Sequence, residues 1–190
     1  MDRAFFFGYG SLVNRATHAY SDAHRASAKG WRRAWRHSKL RPVSFLTAVP
    51  CAQSEIDGLI AHVPGDDWAA LDERERAYAR VPAEDMVAHP LPEPPGSIAI
   101  YAIPDGHHSD PSDENPILLS YLDVVIQGFL REFGEEGAAR FFETTSGWDA
   151  PVLDDRARPV YPRHQSLTAS ERDYVNRQLA ALGAKIICES

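Results

Sequence analysis

Cysteine is scarce and poorly spaced for chemistry. The chain has two, Cys51 and Cys188, in no CxxC or Cys/His ligand pattern, which excludes a structural zinc site or a dithiol redox centre. Reduced thiols and a cytoplasmic location are the corresponding expectation. No apolar run approaches the roughly 18 residues of a membrane span. The opening residues, MDRAFFFGYGSLVN, are apolar only briefly and lack a small-residue cleavage pattern, so no secretory leader is expected. Positive charge is also in deficit, with 20 Lys+Arg against 27 Asp+Glu and a net charge of −7. A nucleic acid would therefore have to be held by a local basic patch against the overall field. Internal repeats and low-complexity tracts are absent as well.

What is there is an ordinary globular composition, 44% hydrophobic and 25% charged, which argues against disorder and coiled coil. The 190 residues suit one domain with a core that needs no disulfides. The one basic candidate is residues 29–39 (KGWRRAWRHSK), where Arg32, Arg33 and Arg36 interleave with Trp31 and Trp35. It reads either as a nucleic-acid patch or as a half-buried strand with tryptophans inward and arginines in solvent. The overall charge favours the strand, and neither nucleic acid nor membrane is expected as a partner.

Residues 4–9 (AFFFGY) read as a buried strand that ends where Gly10-Ser11 turns the chain. Residues 31–37, 43–49, 58–63 and 97–103 read as further strands. After the turn at 64–67 (PGDD), residues 68–78 (WAALDERERAY) are predicted to be helical. Residues 105–115 form a polar loop. Residues 116–133 are apolar nearly all round, with Ser120, Asp123, Gln127 and Arg131 as one narrow polar stripe, the pattern of a largely buried helix. A short helix at 137–145 and a Pro-rich extended arm at 148–165 follow. Thr168-Ala-Ser-Glu171 is a capping box that opens a last amphipathic helix to about Gly183. Strands crowd the first half and helices the second, which predicts a mixed α+β fold with a mostly antiparallel or closed sheet.

Glu75 is the leading candidate for chemistry. At about 100° per residue, Trp68, Leu71, Glu75 and Tyr78 share one helix face within roughly an 80° arc, while Glu73 and Arg74 point elsewhere. A carboxyl on such a face, buried without a cation, would have its pKa raised toward proton-transfer range. The alternative is a structural ion pair with Arg15, Arg80 or another arginine. The second candidate is the turn Tyr9-Gly10-Ser11-Leu12, where Gly8 and Gly10 let backbone amides face a carboxylate or an oxyanion. It is no P-loop, since no Gly-Lys-Ser/Thr follows, and Val13 occupies the place of a Rossmann fingerprint's third small residue. Ser11 sits in no GxSxG elbow, which argues against a nucleophile. Asp105, His107, His108, Asp110, Asp113 and Glu114 could gather at a metal, but their run reads better as a solvated loop. No metal and no cofactor is expected.

Taken together, FGYGSL (7–12), GWRR (30–33), DGLIAHV (57–63) and LDERERAYARV (71–81) stand in an order and spacing that resembles the gamma-glutamylcyclotransferase-like superfamily. The chain is similar to bacterial members of its ChaC and AIG2-like branches over about residues 4–145. The resemblance implies a small closed or strongly curved mixed β-sheet with flanking helices. It implies one domain over residues 1–190, with 146–190 as a C-terminal arm and helix. It assigns Glu75 as the catalytic acid/base and Tyr9, Gly10, Ser11 and Leu12 as the substrate loop, with Tyr78 and Tyr121 lining the pocket. Tyr121 also stands seven residues before Gly128, as a family tyrosine does before a glycine. Arg76 departs from the family, where a small glycine is common. The arm is a second departure, and its Arg156, Arg158 and Arg163 are candidates for contact with an anionic substrate or a partner subunit.

The implied reaction is cyclisation of a γ-glutamyl peptide or amine to 5-oxoproline with release of the amine. Two rivals stand beside it: a non-catalytic module binding a small metabolite, and an amide hydrolase that uses the same glutamate. The leaving group is left open, and a homodimer through the helical half is a further expectation.

Overall fold

The computed structural model describes residues 3–38, 42–104 and 106–188. The chain opens with β1 (Ala4–Gly8), followed by two long strands, β2 (His24–His37) and β3 (Ser44–Val63). Helix α1 (Ala69–Arg74) leads into β4 (Ala79–Pro82), β5 (Val87–Ala88), β6 (Ser97–Ala102) and β7 (Ile117–Leu118). The second half carries α2 (Leu119–Glu143), β8 (Thr145–Ser146), β9 (Val152–Asp154), α3 (Ala169–Ala181) and β10 (Ile186–Cys188). All ten strands among the described residues join one mixed sheet, whose main path runs β10-β9-β7-β3-β1-β6-β4, with β2 on the other side of β3. The sheet is strongly mixed and open. Of the two forms the sequence allowed, closed or curved, closure is excluded, because β10 and β4 end the path without pairing to each other. It is also less antiparallel than expected, since β1 pairs β6 and β7 pairs both β3 and β9 in parallel.

The aromatic run of β1 is explained by burial on both faces. Phe5 and Phe7 point with Tyr9 into the larger core beneath α2, while Ala4 and Phe6 face a smaller cluster with Leu71 and Tyr101. Alternation in a strand makes this division automatic. The two strands expected at 43–49 and 58–63 are one, β3. Its register against β2 jumps from Glu55 opposite Lys29 to Pro50 opposite Trp31, so residues 51–54 bulge out where Gly30 has φ of 79°. Proline is tolerated in a sheet at such an irregularity. The helices expected at 116–133 and 137–145 appear as one element, α2, broken at Gly134 with φ 69° and ψ −172°. Helix α3 begins with the expected capping box, Thr168 accepting from the Glu171 amide at 3.2 Å and Glu171 from the Thr168 amide at 2.8 Å.

Three of the four residues of the polar stripe of α2 are buried, and only Arg131 reaches solvent. Ser120, Asp123 and Gln127 are at most 5% exposed, because the arm and α3 cover them. Asp155 accepts from the Ser120 amide at 2.8 Å and hydroxyl at 2.5 Å. Arg156 donates to both Asp123 oxygens at 2.7 Å, and Gln127 donates to Ser166 O and Glu171 at 3.0 Å.

The arginine-rich stretch is the edge-to-core strand β2, and one of its arginines corrects the expectation of arginines in solvent. Trp31, Arg33 and Trp35 all point inward, and Arg33 has no exposed surface. Its Nε donates to Tyr9 O at 2.9 Å and Nη1 to Thr144 Oγ1 at 2.8 Å, while Nη2 donates to Asp57 O. The rings of Phe129 and Phe141 each lie 4.9 Å from the guanidinium. Lys39, at the end of the patch, lies outside the described residues. No helix among them is long and apolar enough to cross a membrane.

Replacing Arg33 with methionine roughly keeps volume but leaves one buried acceptor, Tyr9 O, and two part-buried ones, Thr144 Oγ1 and Asp57 O, without this donor. Since an orphaned buried acceptor costs about 1–3 kcal/mol, Arg33→Met is expected to lower stability by about 2–3 kcal/mol. Arg32→Met, which loses a single exposed bond to Glu143 O, should change it by less than about 1 kcal/mol. Urea denaturation midpoints at unchanged slope measure both. Equal losses would disprove the role given to Arg33.

Candidate active site

The chain leaves β1 at Gly8 and folds into a 3₁₀ turn over Ser11–Val13, whose hydrogen bonds start with Val13 N to Gly10 O at 3.0 Å. The amides before it, at Ser11 and Leu12, have no partner within the turn. Asn14 then fastens the loop to α2. Its Nδ2 donates to Val124 O at 2.9 Å and Gln127 Oε1 at 3.0 Å, while its Oδ1 accepts from Ala16 N at 3.1 Å. This contact needs glycine on the helix: a Cβ on Gly128 would lie 2.7 Å from Asn14 N. Tyr121 stands two helical turns earlier on the same face. Its hydroxyl reaches over Gly10, where a Cβ would lie 3.0 Å away.

Glu75 approaches this loop from the other side, by a route the helical projection did not foresee. Helix α1 stops at Arg74, and Glu75 is its C-cap with φ −99° and ψ 25°, the Glu75 amide donating to Leu71 O at 2.9 Å. Leu71 stays in the small core cluster with Trp68 against it, while Glu75 turns into the pocket. Ending the helix also lets neighbours meet that could not meet within one. Arg74 Nε lies 3.2 Å from Glu75 Oε1, and the two side chains are only 8% and 15% exposed. Arg74 therefore does not point elsewhere. Its Nη1 donates to Thr17 O at 2.9 Å, and Nη2 to Thr17 Oγ1 at 3.1 Å and Ser11 Oγ at 3.3 Å. One buried guanidinium thus joins the carboxylate to the loop.

Of the two readings of Glu75, burial without a cation is corrected and an ion pair with a further arginine is what forms, with Arg74 as the partner. The two arginines named as candidate partners are engaged elsewhere: Arg15 with Glu132 at 2.5 Å and Arg80 with Asp72 at 3.1 Å.

Tyr9, Gly10, Ser11, Leu12, Glu75, Tyr78 and Tyr121 all border one small pocket. Tyr9 and Tyr78 shape its wall with hydroxyls bound to the backbone. Tyr9 donates to Tyr101 O at 2.5 Å and accepts from Ala48 N at 3.0 Å, and Tyr78 donates to Leu46 O at 2.8 Å. The pocket adjoins a cavity of about 610 Å³ that shares Ser11, Glu75, Tyr78 and Tyr121 with it, a size that suits a small-molecule ligand. The far wall of that cavity includes Tyr161 and Arg163 of the arm. Arg74 is the residue that sequence reasoning missed at the site, whereas Arg163 of the arm was among its candidates and lines the cavity.

Ser11 has a guanidinium beside it, whereas His18 is turned to Leu12 O at 3.0 Å, so no serine–histidine pair forms there. Among the described residues no three His, Cys, Asp or Glu side chains gather to hold a metal. Asp105, at the head of the acidic loop, lies outside the described residues. Of the arm's arginines, Arg156 is held by Asp123 and Asn176.

Residues 4–101 match the family model described as ChaC-like protein. No curated protein matches the sequence. Among solved structures, an uncharacterized protein of Homo sapiens is similar at TM-score 0.57 and 14% identity, covering 93% of this chain and 99% of its own. A protein named gamma-glutamyl cyclotransferase is similar at TM-score 0.53 and 13% identity, with the same coverage of 93% and 99%. YkqA of Bacillus subtilis is similar at TM-score 0.55 and 17% identity over 75% of this chain, which spans about half, 54%, of that protein's length. At these identities the likeness is one of fold.

Burial pushes the phenols of Tyr9, Tyr101 and Tyr121 above the ordinary tyrosine range, with negative Glu75 adding to it at Tyr9 and Tyr121, and Asp72 at Tyr101. The folded protein holds these protons more tightly than the unfolded chain. The stability they contribute is complete below about pH 10 and is lost as pH rises beyond it. Arg33, pushed down by burial to about 9, acts in the opposite sense between that value and the ordinary arginine range. Three phenols outweigh one guanidinium, so alkali is expected to unfold the protein with these tyrosines ionising only as the fold is lost. Phenolate absorbance followed together with circular dichroism checks this. Ionisation of all seven tyrosines near pH 10 with the fold intact would contradict it.

Proposed function

The chain belongs to the ChaC-like protein family, in the gamma-glutamylcyclotransferase-like superfamily, and on that premise we propose that it is a γ-glutamylcyclotransferase. The observation that carries this reading is the Glu75 carboxylate, held by Arg74 in one pocket with the loop from Tyr9 to Leu12. The substrate is a γ-glutamyl peptide or amine. Its free α-amine attacks its own γ-carbonyl, a carbon–nitrogen bond closes the five-membered ring of 5-oxoproline, and the original amide bond breaks to release the amine.

Such a reaction asks little of the protein beyond shape and proton movement, because nucleophile and electrophile are already joined. Holding them in a near-attack conformation supplies a large part of the acceleration. In this reading Glu75 takes a proton from the α-ammonium and later gives one to the leaving nitrogen. The amides of Gly10, Ser11 and Leu12 face the substrate carboxylate or the oxyanion. Tyr9, Tyr78 and Tyr121 wall the ring-closing space. The reaction draws on no cofactor. A cytoplasmic setting accords with the two free thiols, Cys51 and Cys188.

Purified protein incubated with γ-glutamyl dipeptides and amines is expected to release 5-oxoproline, detected by mass spectrometry. Glu75→Gln should keep the fold and lose about 10²- to 10⁴-fold in kcat, the usual weight of a general acid/base. Glu136→Gln, on the exposed side of α2, should retain turnover. Release of glutamate in place of 5-oxoproline would instead identify a hydrolase, and unchanged turnover in Glu75→Gln would remove Glu75 from the mechanism.

A further inference from the structure

The cavity beyond the small pocket is walled on its outer side by residues 160–163, which lie outside the segment matched to the family. This wall is tied down at several points. Asp155, 2% exposed, accepts from the Val160 amide at 2.9 Å as well as from both donors of Ser120. The Ser120 hydroxyl accepts in turn from the Tyr161 amide at 3.3 Å. The Tyr161 ring meets Tyr121 edge-to-face at 5.0 Å. Tyr121 borders both the small pocket and the cavity, so the arm's position is fixed relative to the place where Glu75 sits.

The charges of the cavity are unequally matched. Arg74 pairs with Glu75, and Arg76, the family departure, pairs with Glu73 at 3.6 Å. Arg163 has no carboxylate within 4 Å among the described residues, although it lines the same space. A bound γ-glutamyl donor, with its glutamyl half against the loop and its amide at Glu75, would extend its leaving group into this cavity. That leaving group then meets an aromatic wall and an unmatched guanidinium.

We infer that Tyr161 and Arg163 select the leaving group, favouring donors whose departing amine carries its own carboxylate, as an amino acid or peptide does, over donors that release an uncharged amine. The inference rests on the cyclotransferase reading of the pocket. A guanidinium offers paired donors to a carboxylate, and because Arg163 is itself exposed the preference is modest, about 2- to 5-fold in kcat/KM. It shows in KM, since the contact is the same in ground and transition states.

The test compares γ-glutamyl-alanine with γ-glutamyl-alaninamide, donors that differ only in the charge of the leaving group. Wild type should prefer the free carboxylate. Arg163→Ala should abolish that preference by raising KM for γ-glutamyl-alanine alone, Arg163→Lys should keep part of it, and high salt should weaken it in wild type. Unchanged turnover of the alaninamide shows that the variant is folded. If wild type cyclises both donors and Arg163→Ala keeps the wild-type ratio, the selector role is overturned while the reaction stands. If wild type yields no 5-oxoproline from either donor, the reaction assignment falls, and this inference falls with it.

Discussion

A guanidinium buried in the middle of a protein must be satisfied on every side, and Arg33 draws three separate pieces of chain together to achieve this. Its donors reach the carbonyl of Tyr9, where the site loop leaves β1, the carbonyl of Asp57 in β3, and the hydroxyl of Thr144 at the end of α2. Two phenylalanines of α2 cover its faces. Burial pushes its pKa down to about 9, a measure of how reluctantly the charge sits there. The carboxylate of Asp57 is bound in turn by Arg140 at 2.8 Å, so both ends of that residue are committed to cations. The start of the site loop, the central strand and the long helix are thereby held in one arrangement.

From that arrangement the polar stripe of α2 carries the restraint outward. Gln127 accepts from Asn14 of the loop and donates to Glu171, the residue that completes the capping box of α3. Asp123 and Ser120 hold the arm through Arg156 and Asp155. A helix that is apolar nearly all round would be content against any greasy surface. Its few buried polar groups are what choose one partner at each level, because leaving any of them unpaired in the interior is costly. The loop at one end of the stripe and the arm at its other end are the two walls that meet at the cavity.

Much of this was legible in the sequence where the information is local. The aromatic run of β1, the capping box at Thr168 and the interruption near Gly134 are set by neighbours a few residues away, and each appears where expected. Arg33 was legible too. It shares the parity of Trp31 and Trp35 on a strand, so alternation alone turns it inward, and only the habit of placing arginine in water turned it out. The continuity of β3 was hidden because residues 51–54 bulge out of register with β2, and a bulge depends on a partner strand that sequence does not display. The stripe on α2 was read correctly as polar and narrow, but what covers it comes from more than 30 residues further on. At the site, Glu75 was found by a helical projection that the chain does not follow, since α1 has ended by that residue. Arg74 was lost for the same reason, because adjacent residues diverge on a helix and converge only when it stops.

That last point bears on what the pocket can do. A glutamate at a helix end is placed by the final turn's hydrogen bond from its own amide, here to Leu71 O at 2.9 Å, while its side chain is free of the helix's angular spacing. The guanidinium next to it then fixes the carboxylate against the loop through Ser11 and Thr17. Tyr9 and Tyr78 are bound to backbone carbonyls and so offer form more than reactivity. A reaction whose two reacting groups already belong to one molecule needs that division of labour: a rigid outline to favour the cyclic conformation, and one well-placed carboxylate to carry the proton from the nitrogen that attacks to the nitrogen that leaves.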